Sequence, residues 1–493
     1  MYSRSGEGGE VIRKRYIAFG ALSCLLLVLL GAGIALSQPP EGAEAALTRS
    51  PNCSAICLEL PRKEYRKIRD DKEYVTWVNV RYLSADGTRD ETFEAATIHG
   101  HGNSSWDYDK KSWTVTFDEP AGLLSCATAK KYLLISMTRD NTYLRDTISY
   151  DMAGKCSDEW TQDCEHTEVF VNGEYAGLYL LVEKIDGENG AIFPLDADGA
   201  FLVELDTIEK KADRRDSDFS VCYKIGLSDA EVYKRLAAVD RAIKAEDRRD
   251  PVSGKHRDEL IDLDSFARIF IISEITQDNA INFTSSYFYC KGNGDEKLYA
   301  GPAWDYDRAY GQYFLRNDVL TSLQQPQSAD ERWTWFYLYD DPVFYKRVCE
   351  LYEREYLPQL EALIGGGIEE RYSRIAQAAA RDEPIRGKWE SLEERAAPVD
   401  DPPTDPAALQ RWLSERTAFL GSCWDYSGND AEIVLHSDIT RAKADYVSIA
   451  DVALWGWIVH HRLLLEAVAV GAAAGGVFLA LLICDYRRCT GRG

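Results

Sequence analysis

LYAGPAWDYDRAYG, residues 298–311, and SEITQDNAINFTSSYFY, residues 273–289, together set Asp278, Asn282, Asp305 and Asp307 among apolar and aromatic residues. Carboxylates in such surroundings are costly unless a cation or a bound ligand neutralises them. Residues 264–277 carry the apolar spacing of a buried helix that ends at Asp278, with Asp264 as its expected N-cap. Residues 285–290 then form a strand, KGNGDE a turn, and residues 297–304 a returning strand that delivers Asp305 and Asp307. The four polar side chains therefore converge at one end of a hairpin. One or two carboxylates with an amide are hard oxygen donors suited to a divalent cation carrying phosphate.

Outward from this stretch, the chain of 493 residues has the composition of a folded protein, 45% hydrophobic and 28% charged. A net charge of −24 excludes nucleic acid held by a general basic surface. Positive charge for a phosphate must then be local. Residues 100–106, GHGNSSW, lie between two strand patterns, residues 92–100 and 112–118, and are followed by Lys110 and Lys111. A glycine-rich turn with adjacent ammonium groups offers N–H donors and charge to phosphates, and it reads equally as a hairpin turn beside a solvated face.

Further along, residues 75–83 and 132–137 read as strands and residues 142–153 as a helix in which Arg145 pairs with Asp140 or Asp146. The turn Asn172-Gly173 joins a hairpin whose second strand ends in Glu183 and Lys184. Residues 200–206 form a strand, residues 227–246 a helix, residues 209–218 an exposed charged loop, and residues 328–425 a helical completion of the core.

Residues 16–37 and 463–484 are apolar runs long enough to span a bilayer, the first a transmembrane helix or signal anchor. Arg13, Lys14 and Arg15 precede the first run, and Arg487, Arg488 and Arg492 follow the second. The positive-inside rule then places both termini in the cytoplasm and the main domain outside it, at the cell membrane. The expected order is a cytoplasmic tail (1–15), the first span (16–37), a linker (38–50), the extracytoplasmic domain (51–425), a juxtamembrane segment (426–462), the second span (463–484) and a cytoplasmic tail (485–493). Of the twelve cysteines, Cys24, Cys484 and Cys489 belong to the spans and their cytoplasmic edge, and the nine in the extracytoplasmic part suggest disulfides, first among them a local bridge between Cys156 and Cys164.

GHGNSSW with KKSWTVTF, YLLISMTRDNTYLRD, VFVNGEYAGLYLLVEKID, SEITQDNAIN and GPAWDYDRAYG resemble, in order across residues 51–425, the motifs of the CotH kinases. The resemblance implies an α+β, two-lobed, atypical protein-kinase-like domain, here set between two transmembrane helices. It further implies transfer of the γ-phosphate of ATP, with Mg2+ (Mn2+ or Ca2+ being possible), to serine or threonine of a surface or envelope protein. By motif, Gly100, Gly102, Asn103, Ser104 and Ser105 cover the phosphates, and Lys111 is the phosphate lysine with Lys110 as its understudy. Glu183 partners the lysine, Asp278 orients and deprotonates the acceptor hydroxyl, and Asn282, Asp305 and Asp307 hold metal. His99 and His101 stand where the family's glycine loop often carries arginine. The competing expectation is a non-catalytic envelope protein whose acidic site binds a structural cation such as calcium.

Overall fold

The structure is a computed structural model that describes residues 49–102, 104–124, 128–156, 161–187, 195–205, 219–278, 284–311, 338, 341–386 and 404–424. It is a mixed α+β fold. Strands β1 (Ser54–Glu59), β2 (Thr76–Leu83), β3 (Asp90–His101), β4 (Ser112–Ala121), β5 (Ala129–Ile135), β6 (Cys164–Val171) and β7 (Glu174–Glu183) close into a barrel in the order β1-β2-β3-β4-β5-β7-β6. All neighbours are antiparallel except β1 and β6, whose parallel pairing closes the ring. Closure leaves no strand edge unpaired.

Alternation along the strands sorts the side chains into two sets. Ile56, Leu58, Val78, Val80, Ile98, Trp113, Val115, Leu134, Tyr179 and Leu181 belong to one buried cluster. Leu133, Leu178, Leu180 and Val182, the alternate residues of β5 and β7, join a second cluster with the helices. The barrel thus has its own core and lends one outer wall to the rest of the fold. Helix α1 (Arg62–Asp70) lies beside the barrel and buries only Ile68.

A second sheet has the order β11-β10-β8-β9, from β8 (Phe201–Leu205), β9 (Phe219–Lys224), β10 (Ser286–Cys290) and β11 (Tyr299–Ala300). Around it lie α2 (Arg145–Cys156), α3 (Asp229–Lys244), α4 (Arg257–Leu260), α5 (Leu263–Thr276), α6 (Pro342–Leu351), α7 (Leu357–Ala362), α8 (Ile368–Arg386) and α9 (Pro406–Cys423). Helix α5 buries ten of its residues, as its apolar spacing requires. Its N-cap is Asp262, which accepts from the Ser265 N–H, and not Asp264, which is drawn into an ion pair with Arg347 instead. The returning strand is shorter than expected, two residues, because Pro302 has no N–H with which to continue the ladder.

The expected bridge between Cys156 and Cys164 is absent. Both are free thiols, as are Cys53, Cys57, Cys222, Cys290, Cys349 and Cys423. Cys156 ends α2 facing Glu355 and Gln359, whereas Cys164 opens β6 opposite Val182, so the two are committed to different neighbours. Both apolar runs, residues 38–48 of the expected linker and the loop expected at 209–218 lie outside the described residues. Among those described, no helix is long and apolar enough to cross a membrane.

Candidate functional site

Helix α2 organises the acidic segment. Four of its buried residues, Arg145, Asp146, Ser149 and Tyr150, share one face by their spacing, and all four are polar. Arg145 Nε donates to the Ala309 carbonyl at 3.1 Å, Asp146 Oδ1 accepts from the Tyr306 N–H at 2.7 Å, and Ser149 Oγ lies 2.9 Å from the Tyr310 hydroxyl. The Tyr150 hydroxyl accepts from the Asp305 N–H at 3.3 Å, while its ring stacks on Trp304 at 6.0 Å. Arg145 is held in turn by the expected ion pair with Asp140. Trp304, Asp305, Tyr306, Ala309 and Tyr310 are therefore each held by the helix.

That grip holds the metal-binding candidates in place. Asp305 sits in the left-handed region with φ 66°, a conformation uncommon outside glycine and asparagine, and accepts from Ser285 Oγ at 3.0 Å. Burial, and after it the charge of Asp307, raises its carboxyl to about 6. Asp146 is raised well above the carboxylate range by burial, then by Asp307 and Asp305. The carboxyls of Asp305 and Asp307, both half-buried, and of the buried Asp146 thus disfavour one another's ionisation, an effect that a divalent cation would relieve. Asp307 is the more open member, facing Arg139 at 3.7 Å.

Asp278 follows the left-handed cap Gln277 at the end of α5 and is buried. Burial, and after it the charge of Asp278, disfavours ionisation of Tyr306. The Tyr310 N–H donates to the Thr276 carbonyl at 2.6 Å, tying the same helix end to the acidic segment. The end of α5 and the acidic segment therefore meet at Thr276 and Tyr310, whereas Asn282 lies outside the described residues. Among the described residues, no three His, Cys, Asp or Glu side chains are close enough to cage a metal unaided. Two carboxylates completed by substrate phosphates are a usual magnesium set, and Asp305 with Asp307 fit that set.

The glycine turn is built differently from a bare phosphate loop. A Cβ on Gly100 would come within 2.5 Å of the Trp106 ring, so the missing side chain is the seat of that indole. Trp106 in turn meets Trp113 edge to face at 5.8 Å, at the mouth of the barrel. Gly102 has φ 94° and leaves no room for a side chain beside Ser105 Oγ. Asn103 lies outside the described residues, and the backbone of Ser104 opens a short 3-10 turn.

Neither lysine is simply presented to solvent. The ammonium of Lys111 donates to the Trp106 carbonyl and rests 4.8 Å over the same ring. Lys110 is fully enclosed, 2.7 Å from Asp382 Oδ1 of α8 and 2.5 Å from the Leu178 carbonyl. Glu183 is buried opposite Tyr132, while Lys111 precedes the residue level with Ile135. The register separates Glu183 from Lys111 by four residues, roughly 13 Å along the strands, so the expected partnership is not formed.

Three groups escaped the sequence reading. Asp146 was visible only as a possible partner for Arg145, although polar residues at 145, 146, 149 and 150 form one stripe on a buried helix. Arg139 links Asp307 to Tyr108, donating to its hydroxyl at 3.4 Å. Lys184 lies near His99 and His101: burial, then the Lys184 charge, lowers both imidazoles, His101 to about 3. The histidines are therefore neutral at ordinary pH and do not supply the charge of an arginine.

With this geometry in place, the sequence can be set against known families: residues 98–420, well over half of the chain, match the family model described as CotH kinase protein. The chain belongs to the CotH kinase family. No curated protein matches it closely enough to count as a relative. The CotH match begins within β3 and ends within α9, so it takes in the glycine turn, α2 and the acidic segment alike. A kinase-like family generally uses ATP and a divalent metal, and the carboxylates on 305–307 are consistent with that usage.

Proposed function

We propose that this CotH family member is a membrane-anchored kinase that transfers the γ-phosphate of ATP to serine or threonine of a surface or envelope protein. The observation that carries the reading is that α2 grips the backbone of Asp305 and Tyr306 through Tyr150 and Asp146, in a setting where the charges of Asp305 and Asp307 both disfavour ionisation of Asp146. Asp305 and Asp307 would hold a magnesium ion, which supplies charge neutralisation of the transferred phosphate. Most of the catalysis then rests on positioning. Asp278, fixed by the end of α5, accepts the proton of the acceptor hydroxyl. Lys111 stands at the turn as the phosphate lysine, within reach if it releases the Trp106 carbonyl. The barrel wall and the helical half supply the two lobes of an atypical kinase-like fold.

The test uses the full chain with Mg2+ or Mn2+ and labelled ATP, reading label transferred to itself or to a generic protein acceptor. Label dependent on the divalent ion, and lost in Asp305→Ala and Asp278→Asn, is the expected result. Full activity in Asp305→Ala would sink the assignment of the metal site.

A further inference from the structure

Arg139 belongs to neither the glycine turn nor the acidic segment, yet it touches both. It follows β5, and the hydroxyls of Ser112, Ser136 and Thr138 link hand to hand along the approach to it, at 3.2 and 3.1 Å. Its guanidinium lies 5.4 Å over the Tyr108 ring, donates to the Tyr108 hydroxyl and faces Asp307 Oδ2 at 3.7 Å. The side chain is 9% exposed, so this charge has been taken out of water. At 3.7 Å the contact with Asp307 is electrostatic and not a formed bidentate hydrogen bond, so it occupies none of the carboxylate's lone pairs closely.

From this arrangement, and resting on the kinase reading above, we infer that Arg139 is a positioning residue that stands in for the divalent cation at Asp307 and passes to the polyphosphate when the cation arrives. A divalent ion on Asp305 and Asp307 would repel a guanidinium 3.7 Å from the same carboxylate, so the two cations compete. The displaced guanidinium stays anchored on Tyr108, on the glycine-turn side of the site. There its planar fork matches phosphate oxygens. The device keeps the empty site electrically tolerable and couples metal entry to phosphate binding.

The competition gives opposite signs in two measurements on the full chain. In calorimetric titrations with Mn2+ alone, Arg139→Gln should bind the ion at least about tenfold more tightly than the wild type, the scale on which a close opposite charge alters a carboxylate's affinity for a cation. With Mn2+ saturating, the same variant should bind ATP roughly tenfold more weakly, losing one charge-assisted contact. Arg139→Lys, which keeps the charge without the fork, should retain wild-type Mn2+ affinity and recover only part of the ATP affinity. A variant that binds bare Mn2+ equally or more weakly overturns the inference, because a merely structural arginine would weaken both ligands. If the wild type ignores ATP while Arg139→Gln still tightens Mn2+, the stand-in role holds and the kinase reading fails.

Discussion

Two ion pairs reach from the barrel side of the molecule toward the rest, and they are built to opposite ends. Lys110 and Asp382 are 1% and 0% exposed, and every capacity of the pair is filled. Asp382 accepts from Lys110, from the Leu178 N–H at 2.8 Å and from the Tyr143 hydroxyl at 3.0 Å, while Lys110 also donates to the Leu178 carbonyl and lies over the Tyr179 ring. The contact of Arg139 with Asp307 is longer, 3.7 Å, and its members are 9% and 17% exposed. A short, enclosed pair has no reason to change partners, so it fastens the barrel to α8. A long one beside solvent loses less when a partner is exchanged, as the proposed cation site requires.

Breaking the closed pair should have the largest effect. Asp382→Ala strands a buried ammonium together with the Leu178 N–H and the Tyr143 hydroxyl, and should cost about 3–5 kcal/mol in urea unfolding. The double change Lys110→Met with Asp382→Leu should recover much of that loss, since a buried ion pair replaced by apolar groups is often near neutral. Failure of the double variant to recover would mean that the pair specifies the barrel–helix junction beyond its charge.

At Asp305, beside the open pair, the sign reverses, because there charge destabilises. Asp305 has its folded pKa raised from the ordinary 3.8 to about 6 by burial and by Asp307. Its protonated form favours folding, so the contribution is present below the unfolded pKa and is lost as pH rises through about 6. In metal-free buffer, Asp305→Asn should therefore be more stable than the wild type at pH 7, by roughly 2–3 kcal/mol. The advantage should vanish near pH 4. Added Mg2+ should close the gap at pH 7 by stabilising the wild type alone, and a gap insensitive to both pH and Mg2+ would remove the acidic site from the account.

The smallest effect belongs to Lys111, whose contacts are one carbonyl and one indole face. Lys111→Met should lower stability by at most about 1 kcal/mol. If ATP affinity falls by tenfold while stability holds, Lys111 is a phosphate contact. If both stay level, it serves only to seat Trp106.

Much of this fold could be read from local pattern. The alternation in residues 75–83, 92–100 and 112–118 gave β2 to β4, Asn172-Gly173 gave the β6–β7 hairpin, and the apolar spacing of 264–277 gave α5. Ring closure could not be read, because β1 is a short apolar run that pairs in parallel with a strand more than a hundred residues away, and parallel partners leave no turn signature between them. Helix α1 was missed because a nearly all-charged helix with one buried residue carries no apolar stripe. Within the site, the aspartates of 305–307 announced themselves by their aromatic setting. Arg139 and Asp146 did not, since the meaning of each comes from a partner more than 150 residues away. The Cys156–Cys164 bridge failed for the same reason in reverse: closeness in sequence said nothing about which neighbours each thiol would face.

The strand that closes the barrel is also the strand through which the chain enters it. Just before β1, Arg49 donates to the carbonyls of Cys53 and Ser84, and Ser50 donates to the buried carboxylate of Glu168. A tug arriving from residue 49 would run along β1 and load its two flanking ladders in shear, many hydrogen bonds at once, instead of peeling them singly. The ring seam is in this sense a mechanical clamp at the entry to the barrel.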